Sequence, residues 1–425
     1  MSSNQLLTTS MIMRESLRIL ANDLTFTAAV NKEYSPQFGK TGAKIGAVVN
    51  ARKPPRYVGR SGQALQIEGS VENYVPITLT TQYGVDISFS SADFTLSIDD
   101  FSERFLKPAM ETIANKIDVD GLNLFLDVNN FAGTAGDIVN NGPPTLAKAT
   151  TTIMAARRKL TENGCPQADR VGVIGPATEA NLVPQFTGQF NPQAQISGIF
   201  KRGALGENVF GFNWAADANV ASFTPQTGGT LAAISSVPAS GATTVAVTGT
   251  ADTSGVSITV PRGTVFTIAG VYAINPQNRQ STGQLLQFVV TADTTLTASG
   301  TSLSGTLPIY PAYIPASSGV TPQFATCYTP STVSSTAATT LLTGAKGTGP
   351  YQQNIAYHPD AFTFASADLV LPTDGVMIAE RDNWKGISMR MIQQYDINSD
   401  MMPVRFDVLY GWKTIYPELA VRITG

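Results

Sequence analysis

DDFSERFLKPAMETIANKIDVDGLNLFLDV, residues 99–128, is the stretch around which the rest of the chain organises. Phe101, Phe105, Ala109, Ile113, Ile117, Gly121, Leu124 and Val128 step by three or four residues, which draws one apolar line on a helix. Ser97 to Asp100 supply capping and acidic first-turn residues, so the spacing predicts a helix over 97–128. Pro108 is expected to divide it into a short piece and a long one, with the proline at the new start. From Pro108 to Val128 the long piece would span about 30 Å at 1.5 Å per residue.

Upstream, residues 4–21 read as a short amphipathic helix. Leu7, Met11, Ile12, Leu17, Ile19 and Leu20 form its apolar stripe, and Arg14, Glu15 and Arg18 lie on another face. Residues 22–45 lose periodicity and read as an arm that gains structure by lying on something else. GAVVNARKPPRYVG (46–59) and the residue after it place Arg52, Lys53, Arg56 and Arg60 around Pro54 and Pro55. Paired prolines cannot donate to a ladder, which favours an exposed loop or edge ribbon. VPITLTTQYGVDISFSSADF (75–94) alternates through Val75, Ile77 and Leu79, then Val85, Ile87 and Phe89, and is expected to form a long β-hairpin.

Downstream, LAKATTTIMAARRKLTE (146–162) reads as a helix closed by Asn163, Gly164 and Pro166. Arg170 to Gly175 reads as a buried strand, and Pro176 opens a further helix to Phe186. Helices and strands in this order give an α+β domain. From 224 to 348 the chain turns Thr/Ser/Gly/Ala-rich, and its only charges are Asp252, Arg262, Arg279, Asp293 and Lys346. TTVAVTGT, GVSITV, TVFTIAGV and LLQFVVTA alternate within it, so it reads as an inserted all-β barrel or sandwich of about six strands. Mixed character returns after 348, which places the insertion inside one parent domain.

The chain has 425 residues, enough for about two or three domains of roughly 100–200 residues each. Hydrophobic residues make up 43% and charged residues 14%, the latter low against a usual value of about 25%. That balance suits strand-rich structure and large surfaces packed on neighbours. A net charge of −3 without a clustered basic excess argues against strong nucleic-acid binding. Cys165 and Cys327 lie far apart with no CxxC, and His358 is the only histidine, so metal sites and Ser/Cys–His catalytic pairs lack material. GAKGTGP (344–350) lacks the ending of a phosphate loop, His358 beside Asp360 reads as a structural His-Pro turn, and Asp99 with Asp100 as helix-start charges. No cofactor, metal or catalytic residue is expected. No signal peptide and no membrane span is expected, which points to a protein made and used in a cytosol.

Three strings carry a family resemblance. DDFSERFLKPAMETIANKID (99–118) looks like the start of a spine helix after an extended loop. NIAYHPDAFTFA (354–365) resembles a recurring strand-to-helix segment. QQYDINSDMMPVRFDVLYGWKTIYPELAVRI (393–423) resembles a closing pair of strands. In this order, with PRGTVFTIAGV and NPQNRQSTGQLLQFVV in the insertion, the chain resembles the major capsid proteins of tailed bacteriophages, of the short-tailed type with an inserted β-barrel. The resemblance implies the tailed-phage capsid fold. Its parts would be an N-terminal helix and arm (1–45), an extended hairpin loop (46–95), the spine helix and first part of the core (96–223), the barrel (224–348) and the rest of the core (349–425).

It further implies hexamers and pentamers of the chain in an icosahedral shell around double-stranded DNA, assembled in the host cytoplasm with a scaffolding protein and a portal. Candidate contacts between subunits are Arg52, Lys53, Arg56 and Arg60 on the loop against Glu103, Glu111, Asp118 and Asp120 along the spine helix. Arg14, Glu15 and Arg18 are candidates for the scaffolding contact, with plain packing under the spine helix as the alternative. Arg157, Arg158 and Lys159 read as a solvated helix face. Two other readings remain: an encapsulin-type nanocompartment shell, which shares the fold, and a β-rich surface adhesin.

Overall fold

The spine helix is present in three pieces: a π-helical turn Ser102–Leu106, an α-helix Lys107–Leu122 with Pro108 in its first turn, and a 3-10 stretch Asn123–Asp127. Ala109, Ile113, Ile117 and Val128 of the expected apolar line are buried. Beyond Gly121 the line shifts, with Leu122 and Phe125 buried while Leu124 is only partly covered. The cause is the 3-10 geometry, whose three residues per turn bring i and i+3 onto one face. The computed structural model describes residues 9–34, 46–53, 57, 59, 62–63, 65, 67, 73–90, 102–138, 145–186, 205–206, 208–316, 324–330, 333–372, 378–396, 398 and 401–424. Ser97 to Phe101, the expected cap, lie outside them.

The chain divides into two compact units. The first comprises Met1–Lys53, Asn73–Gly121 and Phe362–Ile415. Its antiparallel sheet is built on Met401–Thr414, a 14-residue strand. Thr81–Ser90 pairs along one edge of that strand; Ile387–Gln393 and then Phe362–Ala367 pair along the other, and Ile378–Trp384 lies outside Ile387–Gln393. The N-terminal helix, Thr9–Asp23, buries Ile12, Met13, Leu17 and Leu20.

Two expectations are corrected by the strand pairing. The alternating run 75–89 does not fold back on itself: Asn73–Thr78 pairs with Val48–Lys53 as a two-stranded ribbon, while Thr81–Ser90 joins the sheet. Between Thr78 and Thr81 there is no glycine or asparagine to supply the positive φ of a tight hairpin turn, so the chain runs on. The 354–365 segment also does not lead from strand to helix. Tyr351–Tyr357, one 3-10 turn Pro359–Ala361 and the strand Phe362–Ala367 follow one another.

The second unit comprises Pro54–Glu72, Leu122–Ala361 and Tyr416–Gly425. Its mixed sheet runs Phe131–Ala132, Ala420–Thr424, Tyr351–Tyr357, Val171–Ile174 and Asn213–Ala216. Helices Leu146–Glu162 and Pro176–Phe186 fall where their patterns place them, and Ile153, Ala156, Leu160 and Leu182 pack with Ile174, Val421 and Ile423.

Within the same unit the Thr/Ser-rich segment closes into a ring. Gly229–Ile234 pairs with Ala242–Ala251, which pairs with Ser302–Tyr313; the order continues through Ser281–Val290, Val265–Ile274 and Thr339–Leu341. An Ala233–Ala338 bridge and an Ile234 N–H to Ala337 carbonyl bond of 3.0 Å return the last strand to the first. Closure leaves these six strands without the unpaired edges that invite aggregation, in a module with almost no charge to protect them. Val247, Val260, Phe266, Ile268, Phe288, Leu296 and Leu307 fill its interior.

One residue tests the packing of the first unit. A Cβ on Gly411, in the long central strand, would lie 2.1 Å from the Thr78 carbonyl oxygen. Backbone on both sides leaves no flexible group to yield. Gly411→Ala is expected to destabilise by about 3 kcal/mol or more, measured as a lowered denaturation midpoint, whereas Gly255→Ala, with no atom within 4 Å but a φ of +78°, should cost about 1–2 kcal/mol from its left-handed backbone alone.

Candidate assembly surface and its internal supports

The spine helix carries carboxylates at 111, 118 and 120, and the structure gives them different surroundings. Asp118 is 2% exposed. Its Oδ2 accepts the Thr25 N–H at 2.7 Å and the Phe26 N–H at 3.3 Å; its Oδ1 accepts the Thr27 N–H at 3.0 Å and the Thr27 hydroxyl. Phe26 is fully buried, with ring centroids 5.7 Å from Phe362 and 5.5 Å from Trp412. Gly121 admits this cluster, since a Cβ there would stand 2.7 Å from both the Phe26 and Trp412 rings. A helical glycine costs about 1 kcal/mol, which the aromatic packing offsets. The arm is then drawn into the sheet, where the Asn31 carbonyl accepts the Phe364 N–H at 3.0 Å.

Asp118 is therefore corrected from a contact between subunits to the anchor of the chain's own arm, because four donors already fill its lone pairs. Asp120 is likewise engaged at home, with Lys116 Nζ at 2.6 Å and the Tyr410 hydroxyl at 2.7 Å. Burial first, and then the Asp120 carboxylate, push the Tyr410 hydroxyl far above its ordinary range and keep it a donor. Glu111 is exposed on the helix, and the Glu103 side chain lies outside the described residues. On the N-terminal helix Arg18 pairs with Glu15, and Arg14 lies 3.8 Å from Asp382. The apolar face of that helix is covered within the chain, and its charged face is left outward.

A second support holds the barrel. Arg422, on the closing strand, is fully buried. Its Nε donates to the Val128 carbonyl at 3.0 Å and its Nη2 to the Gly263 carbonyl at 2.7 Å, and the guanidinium lies 5.3 Å from the Phe125 ring centroid. Burial pushes its pKa down to about 9, against the pull of Asp127, so it keeps its proton at neutral pH. One cation thus ties the end of the spine, a barrel loop and the last strand together. The Gln287 side-chain amide pairs with Phe131 as a strand would, at 2.7 and 3.0 Å. Phe131, Val265 and Val289 share a small apolar core beside these bonds, and Arg262 pairs with Asp127. Sequence reading placed Arg422 in a strand and gave it no role; a lone arginine among Val421, Ile423 and Ala420 was the available signal.

The outward surface is the ribbon. Arg52 is exposed and Lys53 half-buried on its first strand, while Arg56 and Arg60 lie outside the described residues. Val48, Tyr57 and Tyr74 are more than half exposed, Leu65 is 78% exposed and Ile67 87%. Elsewhere, Cys165 and Cys327 are buried free thiols, and burial pushes Cys327 up to about 12, which removes thiolate reactivity. His358 sits in the Pro359 turn, its Nδ1 3.4 Å from Asp360 Oδ2. Among the described residues no cluster of His, Cys, Asp and Glu could hold a metal ion. Arg158 pairs with Glu162, and Lys159 is half-buried, so the 157–159 run is not one continuous basic face.

Two outcomes follow from these supports. Asp118→Ala leaves three arm N–H groups without an acceptor and should cost about 3 kcal/mol; limited proteolysis should then cut within residues 24–30, which the parent chain protects. Burial pushes Lys159 from 10.5 down to about 8, so between those values the unfolded chain holds a proton that the folded chain has lost. Stability from this group therefore rises with pH across that window. Lys159→Met should be more stable than the parent at pH 7 by on the order of 1 kcal/mol, with the difference in Tm shrinking by pH 10.

The comparisons with known proteins bear on what this surface serves. No curated protein matches the chain. Among solved structures it is similar to a chain from Mycobacterium phage Che8, at 13% identity over 94% of this chain and 90% of that one, with a TM-score of 0.44. It is similar to a chain of the capsid of Cyanophage P-SCSP1u, at 10% identity over 89% and 83%, with a TM-score of 0.41. The CUS-3 coat protein I-domain is similar at 24% identity over 29% of this chain and 100% of that one, with a TM-score of 0.15. The assignment rests on the family comparison, in which the model described as "P22 coat protein - gene protein 5" matches residues 1–425. The chain belongs to the P22 coat protein family.

Proposed function

We propose that copies of this chain form the icosahedral shell of a tailed phage, as hexamers and pentamers around its double-stranded DNA, and that the chain has no catalytic role. Family membership over the whole length supports a major capsid protein and supports neither the nanocompartment nor the adhesin reading. The observation that carries the mechanism is the ribbon, whose Leu65 and Ile67 stand in solvent while the cores of both units are filled. Burying apolar area at about 25 cal/mol per Å² is the largest gain open to such a surface. Each contact can be modest, because every subunit repeats it.

In this reading Arg52 and Lys53, with Arg56 and Arg60, set the register of the ribbon on a neighbour, and Glu103 and Glu111 are the partners left on the spine helix. Exposed ion pairs contribute only about 0–1 kcal/mol each, so register rather than strength is their part. The outward charges Arg14, Glu15 and Arg18 offer a docking face for an internal scaffolding protein, and a portal would complete one vertex. Assembly would take place in the host cytoplasm. No helix among the described residues is long and apolar enough to cross a membrane. The five-part organisation at 1–45, 46–95, 96–223, 224–348 and 349–425 is the division we assign to these roles.

The test is self-association. Purified chain, concentrated with and without a scaffolding protein, should give closed particles by negative-stain microscopy. Leu65→Ser/Ile67→Ser should leave Tm within about 1 °C, since exposed positions add little to the folded chain, yet reduce particle yield strongly. A parent chain that stays monomeric at all concentrations would count against the reading.

A further inference from the structure

In the first unit a cavity of about 410 Å³ is lined by Ala21, Leu24, Ala28, Lys32, Lys385 and Ile387. Its floor is aliphatic and its polar lining is two lysines. Lys385 and Gly386 form the two-residue turn between Ile378–Trp384 and Ile387–Gln393. Both residues have positive φ, 50° and 80°. The first position of such a turn favours Asn, Asp or Gly, and a lysine there costs roughly 1 kcal/mol or more. The Lys32 stem packs over this turn, 3.2 Å from where a Cβ on Gly386 would stand, which brings the second ammonium to the same cavity.

Neither lysine has an ion-pair partner among the described residues. Asp118, the carboxylate that acts on Lys32, already accepts four hydrogen bonds from the arm. Burial first pushes the Lys32 ammonium below its ordinary range, and Lys385 adds to this against the pull of Asp118. Two like charges over an apolar floor, one of them held on a strained turn, call for an anion on an apolar stem. A phosphodiester backbone would gain nothing from that floor, whereas an acidic side chain beside an aliphatic one would fill both parts.

The chain itself carries such a segment. Ile67 is 87% exposed, and Glu68 follows it in LQIEGSVENY (65–74), a run that carries two carboxylates and no basic residue. We propose that the cavity between Lys32 and Lys385 receives Ile67 and Glu68 of a second copy of this chain, the carboxylate between the two ammoniums and the isoleucine on Ala21, Leu24, Ala28 and Ile387. The proposal rests on the reading that copies assemble, and it names the site where one copy's ribbon ends on the next.

Charge exchange in the full-length chain tests it, with the parent chain assembled in parallel so that a failure of assembly as such is seen separately. Lys32→Glu/Lys385→Glu should raise the concentration needed for particle formation by about tenfold or more, the equivalent of about 1.4 kcal/mol per contact, with near-ultraviolet circular dichroism unchanged. Adding Glu68→Lys to that variant should bring the value back to within about threefold of the parent. If the charge-reversed chain does not fold, Lys32→Gln/Lys385→Gln should show the same direction of change. Assembly of either double variant at the parent's concentration would overturn the proposal, and so would a folded reversed chain that Glu68→Lys does not restore.

Discussion

A fully buried arginine whose guanidinium donates to backbone carbonyls, with Asp127 pulling on it, is the constraint on which the barrel's placement depends. Taking a guanidinium out of water costs several kcal/mol even after relaxation. Arg422, on the closing strand, recovers that cost from two carbonyls and an aromatic face, which belong to the end of the spine and to the barrel. Removing any of the three would leave a buried charge without its partners. The insertion is therefore not a free module on a tether. Its root is held by Gln287 on Phe131 and Arg262 on Asp127, and by hydrogen bonds that the C-terminal strand supplies through Arg422, so residues late in the chain help to fix the position of a domain made earlier.

The low charge of the barrel fits this arrangement. All five of its charged residues are engaged within the second unit: Asp252 with Lys346, Arg262 with Asp127, and Asp293 on the Arg262 N–H. The fifth, Arg279, donates to the Tyr57 carbonyl. The barrel's outer surface is accordingly left to Thr and Ser hydroxyls, which cost less to desolvate than ions. In the first unit the same economy appears at Asp118, where one carboxylate organises three successive arm amides. Both anchors turn segments that look unstructured or redundant in sequence into fixed parts.

Much of the fold was legible in the residues. Helix periodicity located Leu146–Glu162 and Pro176–Phe186, and strand alternation with low charge located the closed ring between 229 and 341. The spine helix was legible to Gly121 and then shifted, because nothing in its composition announces a 3-10 turn. Pairing was harder to read: Val75 to Phe89 alternates as one strand pair would, yet its halves belong to different sheets, and alternation cannot say which partner a strand takes. The contact residues were least legible. Glu111 and Asp118 look alike in sequence, but one faces water and the other is filled by Thr25, Phe26 and Thr27, a difference set by contacts about 90 residues distant. Arg422 escaped notice for the same reason, since its partners come from two distant segments, 125–128 and the loop at Gly263.

Shell formation, in this account, is the completion of burial that a single copy leaves unfinished at residues 48–74. Hydrogen exchange compared between free subunits and assembled particles tests that claim directly. Amides of the strands Val48–Lys53 and Asn73–Thr78 should exchange quickly in the free chain and become strongly protected in particles, while the barrel strands change little. Equal protection of the ribbon in both states, or particles in which it still exchanges freely, would contradict it.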